Sequence, residues 1–116
     1  MDDLTGIIVK GKGTAAGFVR AYTPLFEKSL GLTPFPGTLN VRVAPAPTLT
    51  GGTTLTPATG GAVICWDVIV NNKVRGFLVR PVKTTHTPDI LEIIAPVNIR
   101  EYFSLREGDT VHVRLL

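Results

Sequence analysis

The chain has 116 residues and a formal net charge of +3, with 12 glycines and 9 prolines. A chain of this length buries roughly two thirds of its unfolded surface, so a single domain spanning residues 1–116 is expected. Its apolar runs are far shorter than the about 20 residues of a membrane-spanning helix, which argues against a membrane partner. The basic residues form no long run, so a nucleic-acid partner is not expected, whereas a phosphate-bearing small molecule needs only a few of them.

Short β-branched runs separated by glycine and proline indicate a β-rich fold. Residues 5–10 predict a first strand and residues 18–22 a second, with a glycine-containing loop between them. After these, Thr23 suits a helix cap, Pro24 the first helical position and Gly31 the helix end. This pattern predicts one clear helix, which packs an apolar face against the sheet.

The middle of the chain predicts a strand, a long loop and a hairpin. Residues 37–43 alternate apolar and polar side chains, as a strand does. Residues 44–61 are rich in proline, threonine and glycine and predict a long loop. Residues 62–70 and 74–80 predict two strands joined at Asn71-Asn72, a pair that tolerates the left-handed conformations of a tight hairpin.

The C-terminal part predicts two more strands around a short helical segment. Residues 90–95 predict a strand that Pro96 ends, residues 98–105 one or two helical turns, and residues 110–115 a half-buried closing strand. About six strands, one clear helix and no internal repeat predict a mainly β fold. We expect a small closed six-stranded β-barrel, because closure removes the exposed edges of a short sheet.

The N-terminus and the cysteine content bear on the compartment. Met1-Asp2-Asp3 is acidic where a secretory signal would be basic. The single cysteine, Cys65, has no partner for an internal disulfide. A reducing, cytoplasmic location is therefore expected.

The segment Gly11-Lys12-Gly13-Thr14-Ala15-Ala16-Gly17 is a candidate phosphate-binding loop. Glycines let backbone N–H groups approach a phosphate closely and permit positive φ. Lys12 adds a charge and Thr14 a hydroxyl. Taken alone, the spacing of these glycines favours a plain turn over a phosphate site.

Thr38 and Asn40 are candidate metal ligands. On a strand they share one face while Leu39 and Val41 share the other. Two neutral oxygen donors at this spacing can hold one Mg²⁺, which takes its remaining contacts from water and substrate phosphates. From the spacing alone, two solvated polar residues are the more economical interpretation.

Residues 80–100 contain two further candidates. Glu92 is a lone carboxylate within the apolar run Ile90-Leu91-Glu92-Ile93-Ile94, where it can accept hydrogen bonds from a ligand or simply point outward. Arg100, near the start of a helical turn, could hold a phosphate together with free backbone amides. The chain has no Walker-type phosphate loop, no nucleophile elbow and no cysteine–histidine cluster, and His86 and His112 are too few to indicate a metal.

Several stretches in this order resemble the archaeal-type CTP-dependent riboflavin kinases. The first is Leu-Gly-Leu-Thr-Pro-Phe-Pro-Gly-Thr-Leu-Asn at residues 30–40. It is followed by Lys-Thr-Thr-His at 83–86, Glu-Ile-Ile-Ala-Pro at 92–96, Arg-Glu at 100–101 and Leu-Arg-Glu-Gly-Asp at 105–109. The resemblance spans nearly the whole chain.

The resemblance implies a cradle-loop barrel related to swapped-hairpin transcription-factor barrels. It implies transfer of the γ-phosphate of CTP to the ribityl 5′-hydroxyl of riboflavin, giving FMN and CDP, with Mg²⁺ as cofactor. It implies that Thr38 and Asn40 bind the metal and that Thr84 and Glu92 contact the flavin. We assign no residue as the general base. The implied nucleotide-binding residues are Gly11, Lys12, Gly13, Thr14, Ala15, Ala16, Val97, Asn98, Ile99 and Arg100.

Two departures and two alternatives accompany the resemblance. The glycine loop is less acidic than in some members, so its backbone rather than its side chains is assigned to the phosphates. Residues 44–61 have no counterpart and receive no function. A DNA-binding barrel, or a flavin or nucleotide sensor without turnover, are the alternatives, and a monomer is expected.

Overall fold

The computed structural model describes residues 3–84 and 86–116, so Met1, Asp2 and Thr85 lie outside the described residues. Within this part of the chain there are seven strands and two helices. In chain order they are β1 (Asp3–Ile8), α1 (Ala15–Leu30), β2 (Leu39–Val43), β3 (Thr53–Leu55), β4 (Val63–Val70), β5 (Val74–Pro81), β6 (Ile90–Ile94), α2 (Ile99–Tyr102) and β7 (Thr110–Leu115).

Six of the strands form a closed antiparallel barrel, as predicted. Their order is β4-β5-β6-β2-β1-β7, and β7 returns to pair with β4 through Ile69 and Arg114. Strand β3 is additional and pairs with the first half of β4, through Thr53 and Cys65. β3 and β7 therefore share one edge of β4, and this arrangement leaves the barrel closed.

The barrel interior is filled by the side chains that point inward from the strands. Leu39, Val41 and Val43 of β2 are all buried in it, as their alternation with polar residues predicted. Burying an aliphatic side chain of this size contributes roughly 1.5–3 kcal/mol, so these positions supply much of the driving force for closure. The other buried members are Ile8, Val68, Val70, Val74, Leu78, Leu91, Ile93, Ala95, Ile99, Val111 and Val113.

A second apolar cluster, which we call the outer cluster, lies outside the barrel, under α1. Val19 and Phe26 of the helix are fully buried there against outward residues of the sheet. Cys65 belongs to this cluster, and burial raises the pKa of its thiol to about 12, so the thiol stays protonated. The sheet residues in the cluster are Leu55, Val63, Cys65, Val79 and Ile94.

The predicted strand at residues 18–22 is wrong, because these residues lie in the first half of α1. Phe18, Tyr22 and Phe26 recur at four-residue spacing and form one aromatic stripe along the helix. Pro24 lies inside the helix rather than at its start, and the Thr23 hydroxyl donates to the Val19 carbonyl at 2.7 Å. The helix ends at Gly31, as predicted.

The remaining elements follow the sequence expectations with one addition. Asn71 and Asn72 have φ values of 49° and 56°, the left-handed conformations predicted for the β4–β5 hairpin. Asn98 caps α2 by accepting a hydrogen bond from the Glu101 N–H at 3.3 Å. Strand β3 lies in the predicted loop at 44–61 and was not foreseen, since three residues are too few for an alternation pattern. Neither described helix has the length and apolar character to cross a membrane.

Candidate active site

A cleft of about 540 Å³ separates the glycine loop from the start of β2. The loop follows β1 and stays close to β2, because the Val9 N–H donates to the Asn40 carbonyl at 3.0 Å. At Gly11 a Cβ would lie 2.6 Å from the Asn40 Nδ2, so only glycine allows this approach. The lining residues are Val9, Lys10, Gly11, Lys12, Gly13, Ala15, Ala16, Gly37, Thr38, Asn40 and Arg100.

The glycine loop ends at the N-terminus of α1, not at a strand as predicted. The first backbone N–H groups of a helix have no intrahelical partner, and the helix dipole makes this end positive. Thr14 is the N-cap residue, its side chain makes no capping bond within the described chain, and the first turn carries no acidic residue. The loop therefore presents amide donors to a cleft suited to an anion.

Asn40 and Thr38 lie together at the floor of this cleft. Asn40 is 6% exposed, and its Nδ2 donates to the Thr38 Oγ1 at 3.4 Å. The Asn40 Oδ1 is buried and has no hydrogen-bond partner in residues 3–84 and 86–116. A buried acceptor without a partner is costly, and an amide oxygen is a ligand that Mg²⁺ accepts. The residues therefore fit the predicted metal.

Glu92 lies beside this pair, because β2 and β6 are in a register that places it opposite Asn40. Its side chain is 13% exposed. Burial raises the pKa of the Glu92 carboxyl, and His86, a hydrogen bond from the Thr38 side chain and Lys12 act in the opposite direction. The His86 Nε2 is 3.7 Å from the Glu92 Oε2. The Glu92 carboxyl is thus a partly buried hydrogen-bond acceptor, and His86, Thr38 and Lys12 lie around it as donors.

A second pocket of about 160 Å³, which we call the acceptor pocket, lies next to the cleft. It is formed between the first turn of α1 and the segment that joins β5 to β6. Thr84 and Glu92 both line it, and the Thr84 Oγ1 accepts a hydrogen bond from the His86 N–H at 3.1 Å. Lys12 and Ala15 line both the cleft and the acceptor pocket, so the two cavities adjoin. The other residues that line the acceptor pocket are Thr14, Phe18, Pro81, Lys83 and His86.

A third recess of about 120 Å³ extends the cleft on its other side. Its lining includes all four residues of the predicted segment 97–100, together with Phe35. Phe35 is held there by its N–H, which donates to the Ala95 carbonyl at 2.8 Å. Gly37, Thr38 and Arg100 line both the recess and the cleft, so the two segments predicted to bind a nucleotide border one continuous depression.

Comparison with known proteins places the chain in a family. The family model CTP-dep_RFKase, described as domain of unknown function DUF120, matches residues 8–115. The chain belongs to this family. It is 39% identical to a riboflavin kinase of Thermococcus kodakarensis and 39% identical to one of Pyrococcus furiosus, covering 97% of this chain and 58% of each relative. A riboflavin kinase of Aeropyrum pernix is 33% identical, with 96% of this chain and 93% of the relative covered.

Membership in the CTP-dep_RFKase family confirms the resemblance inferred from the motifs. The chain spans a little over half the length of the two most similar of these relatives. The match includes every candidate site residue, since the first of them is Gly11 and the last Arg100.

Among the residues that line the candidate site, Phe18, Phe35 and His86 received no role from the sequence reasoning. Phe18 was assigned to a strand, although the four-residue spacing of Phe18, Tyr22 and Phe26 could have indicated a helix. Phe35 lies inside the motif at residues 30–40, but the resemblance assigned no role to it. His86 looked ordinary, because its proximity to Glu92 depends on the fold of the β5–β6 segment and leaves no local signal.

Proposed function

We propose that the chain is a riboflavin kinase that transfers the γ-phosphate of CTP to the ribityl 5′-hydroxyl of riboflavin, giving FMN and CDP. The observation that carries the proposal is the contact between two cavities of different character. An amide-lined cleft at a helix N-terminus adjoins a pocket containing a partly desolvated carboxylate, and Lys12 and Ala15 border both. Phosphoryl transfer needs little more than such positioning and charge neutralisation.

The nucleotide is assigned to the cleft and the recess. Its phosphates would contact the backbone of residues 11–16 at the positive end of α1, and Arg100 would add a charge. The base would enter the recess at residues 97–100, where backbone groups can read its edge. The choice of cytosine rests on family membership, because no single side chain specifies it.

Thr38 and Asn40 are the residues we assign to the Mg²⁺. The unpaired, buried Asn40 Oδ1 supports this assignment. When bound, the ion would neutralise charge on the nucleotide phosphates. The two side chains also fix the floor of the cleft. The Asn40 Nδ2 donates a hydrogen bond to the Thr38 Oγ1, and the Thr38 side chain is hydrogen-bonded to the Glu92 carboxyl.

Riboflavin is assigned to the acceptor pocket, with Thr84 and Glu92 contacting it. The Glu92 carboxylate would accept a hydrogen bond from the substrate and orient its terminal hydroxyl toward the cleft. The hydroxyl oxygen bonds to the γ-phosphorus as the bond from that phosphorus to the β-phosphate oxygen breaks. CDP leaves, the hydroxyl proton ends in solvent, and Lys12 offsets the developing negative charge.

The residues that we assign to this site all lie within one chain, and we propose a monomer with a single catalytic domain. The Aeropyrum pernix riboflavin kinase is matched over nearly its whole length, which supports the sufficiency of a chain of this size.

A direct test is FMN formation from riboflavin, separated by chromatography, with CTP, ATP, GTP or UTP. Each nucleotide is supplied with Mg²⁺ or with a chelator. We expect FMN with CTP and Mg²⁺, little with ATP, and none with the chelator. A folded protein that forms no FMN with any nucleotide contradicts the proposal, and retention on duplex DNA with a steep salt dependence would then favour a DNA-binding barrel.

A further inference from the structure

Helix α1 carries an aromatic stripe that runs from the buried core to the acceptor pocket. Phe26 is fully buried, whereas Phe18 and Tyr22 are half-buried. The ring centroids of Phe18 and Tyr22 are 4.6 Å apart with the planes tilted by 34°. Phe26 contacts both, with centroid distances of 6.5 Å to Phe18 and 6.2 Å to Tyr22. Phe18 is the member that borders the pocket.

The rest of the acceptor pocket is lined mainly by polar residues. Apart from Phe18, its only large apolar lining residue in the described chain is Pro81. Its remaining lining includes two lysines, two threonines, His86 and Glu92. A ligand with one polar end and one flat apolar end matches a pocket of this composition.

Tyr22 packs against Phe18 and is itself anchored to the backbone of a neighbouring segment. The Tyr22 hydroxyl donates to the Gly61 carbonyl at 2.8 Å, which ties the helix to the end of the long 44–61 segment. At Gly60 a Cβ would lie 2.9 Å from the same hydroxyl oxygen, so this segment packs closely on Tyr22. An aromatic surface held in place before binding loses little conformational freedom when a ligand contacts it.

The size of the pocket indicates how a flavin would use this surface. Pockets that enclose a small-molecule ligand typically measure about 300–1,000 Å³, and the acceptor pocket measures about 160 Å³. The pocket is large enough for the hydroxylated chain of riboflavin but not for its three fused rings as well. A flavin whose ribityl chain fills the pocket would extend its rings along the apolar side, where Phe18 lies.

We infer that Phe18, held by Tyr22, is the surface on which the isoalloxazine ring of the acceptor packs. Phe18 is on this basis a specificity-determining residue, which favours a flavin over a plain polyol with the same hydroxyls. The inference rests on the proposed function, since that proposal makes riboflavin the acceptor. It also gives residues 60–61 a role as the outer support of the ring-binding surface.

The test compares Phe18→Leu with Phe18→Tyr and with the control Phe77→Leu. Phe77 packs against the same outer cluster but does not line the acceptor pocket. The readouts are KM for riboflavin, KM for CTP, kcat, and the inhibition constant of lumiflavin, which has the ring system without the ribityl chain.

Loss of an aromatic contact gives about a fivefold to tenfold weakening, so Phe18→Leu should raise the riboflavin KM and the lumiflavin inhibition constant by that factor. The CTP KM and kcat should stay near wild type, because the lost binding is the same in ground and transition states. Phe18→Tyr should keep the riboflavin KM and the lumiflavin inhibition constant near their wild-type values, because it retains the aromatic ring. Phe77→Leu should leave both constants unchanged.

Tyr22→Phe removes only the hydroxyl bonded to Gly61 and keeps the core filled. It should raise the lumiflavin inhibition constant by about twofold, because Phe18 loses part of its support. Flavin constants of Phe18→Leu equal to those of Phe77→Leu would overturn the inference, as would parallel increases in the CTP and riboflavin KM. A wild-type protein that makes no FMN overturns the proposed function instead, and direct lumiflavin binding to the wild type and Phe18→Leu still tests the ring surface.

Discussion

Asn40 is buried and its side-chain oxygen accepts no hydrogen bond in the described chain. Substituting Asn40 is therefore the most sensitive test of the metal assignment. The Asn40 Nδ2 bonds Thr38. We expect Asn40→Ala to lower Mg²⁺-dependent FMN formation on the order of a hundredfold or more, because the ion would lose an oxygen ligand. The measurement is the initial rate as a function of Mg²⁺ concentration, with thermal unfolding as the check on folding.

Asn40→Asp is the matched variant, since it keeps an oxygen at the same position. It should retain more activity than Asn40→Ala at high Mg²⁺. A wild-type rate for Asn40→Ala at saturating Mg²⁺ would defeat the metal assignment.

Glu92 is placed where its ionisation is costly. Burial raises the pKa of its carboxyl above the usual value of 4.5, so folding shifts this group toward its protonated form relative to the unfolded chain. The stability contributed by this group is full below the usual pKa and is lost as the pH rises through the folded-state pKa. We expect Glu92→Gln to unfold a few degrees higher than wild type at about pH 8 and at the same temperature at about pH 4.

Calorimetry at the two pH values measures this effect. The control is Glu107→Gln, at an exposed turn, which should show no such dependence. The same Glu92→Gln protein should have a raised riboflavin KM, because a carboxylate acceptor is lost. A lower unfolding temperature for Glu92→Gln at about pH 8 would show that the ionised carboxylate stabilises the fold.

At the scale of elements, the glycine loop and the start of α1 form one structure. Gly11 approaches Asn40 so closely that a Cβ would lie 2.6 Å from its Nδ2, whereas a Cβ at Gly17 would meet nothing within 4 Å. Gly11→Ala should therefore displace the loop and raise the CTP KM at least about tenfold. Gly17→Ala should leave the CTP KM unchanged and raise stability slightly, by about 0.5–1 kcal/mol, because alanine is the better helix former.

Steady-state kinetics and thermal unfolding of the two variants separate loop position from helix stability. Equal CTP KM values for Gly11→Ala and Gly17→Ala would contradict the close packing of the loop on Asn40.

The element-scale errors of the sequence analysis have identifiable physical causes. Thr23-Pro24 has the composition of a helix start, and tertiary packing of Phe18 and Tyr22 on the outer cluster extends the helix nine residues further toward the N-terminus than Pro24. The hairpin at Asn71-Asn72 was predictable because the left-handed conformations are a local property of asparagine. Strand β3 was not, since its pairing with β4 is non-local.

At the scale of the whole molecule, barrel closure assembles the site from distant segments. The register of β2 with β6 sets Asn40 opposite Glu92. The β5–β6 segment brings Thr84 to the acceptor pocket, which Glu92 also lines. Motif resemblance predicted a role for each of these residues individually. Their mutual distances, the junction of the cavities at Lys12 and the place of Phe18 depend on strand register and helix packing, which the sequence pattern does not specify.

The central claim is that the cleft and the acceptor pocket act as one active site. The most direct measurement is a single-turnover reaction of the protein with CTP labelled at the γ-phosphate, riboflavin and Mg²⁺. We predict that the label appears in FMN at the rate at which CDP forms, with little free phosphate. Label released as phosphate at the same rate with or without riboflavin, and none in FMN, would contradict the claim.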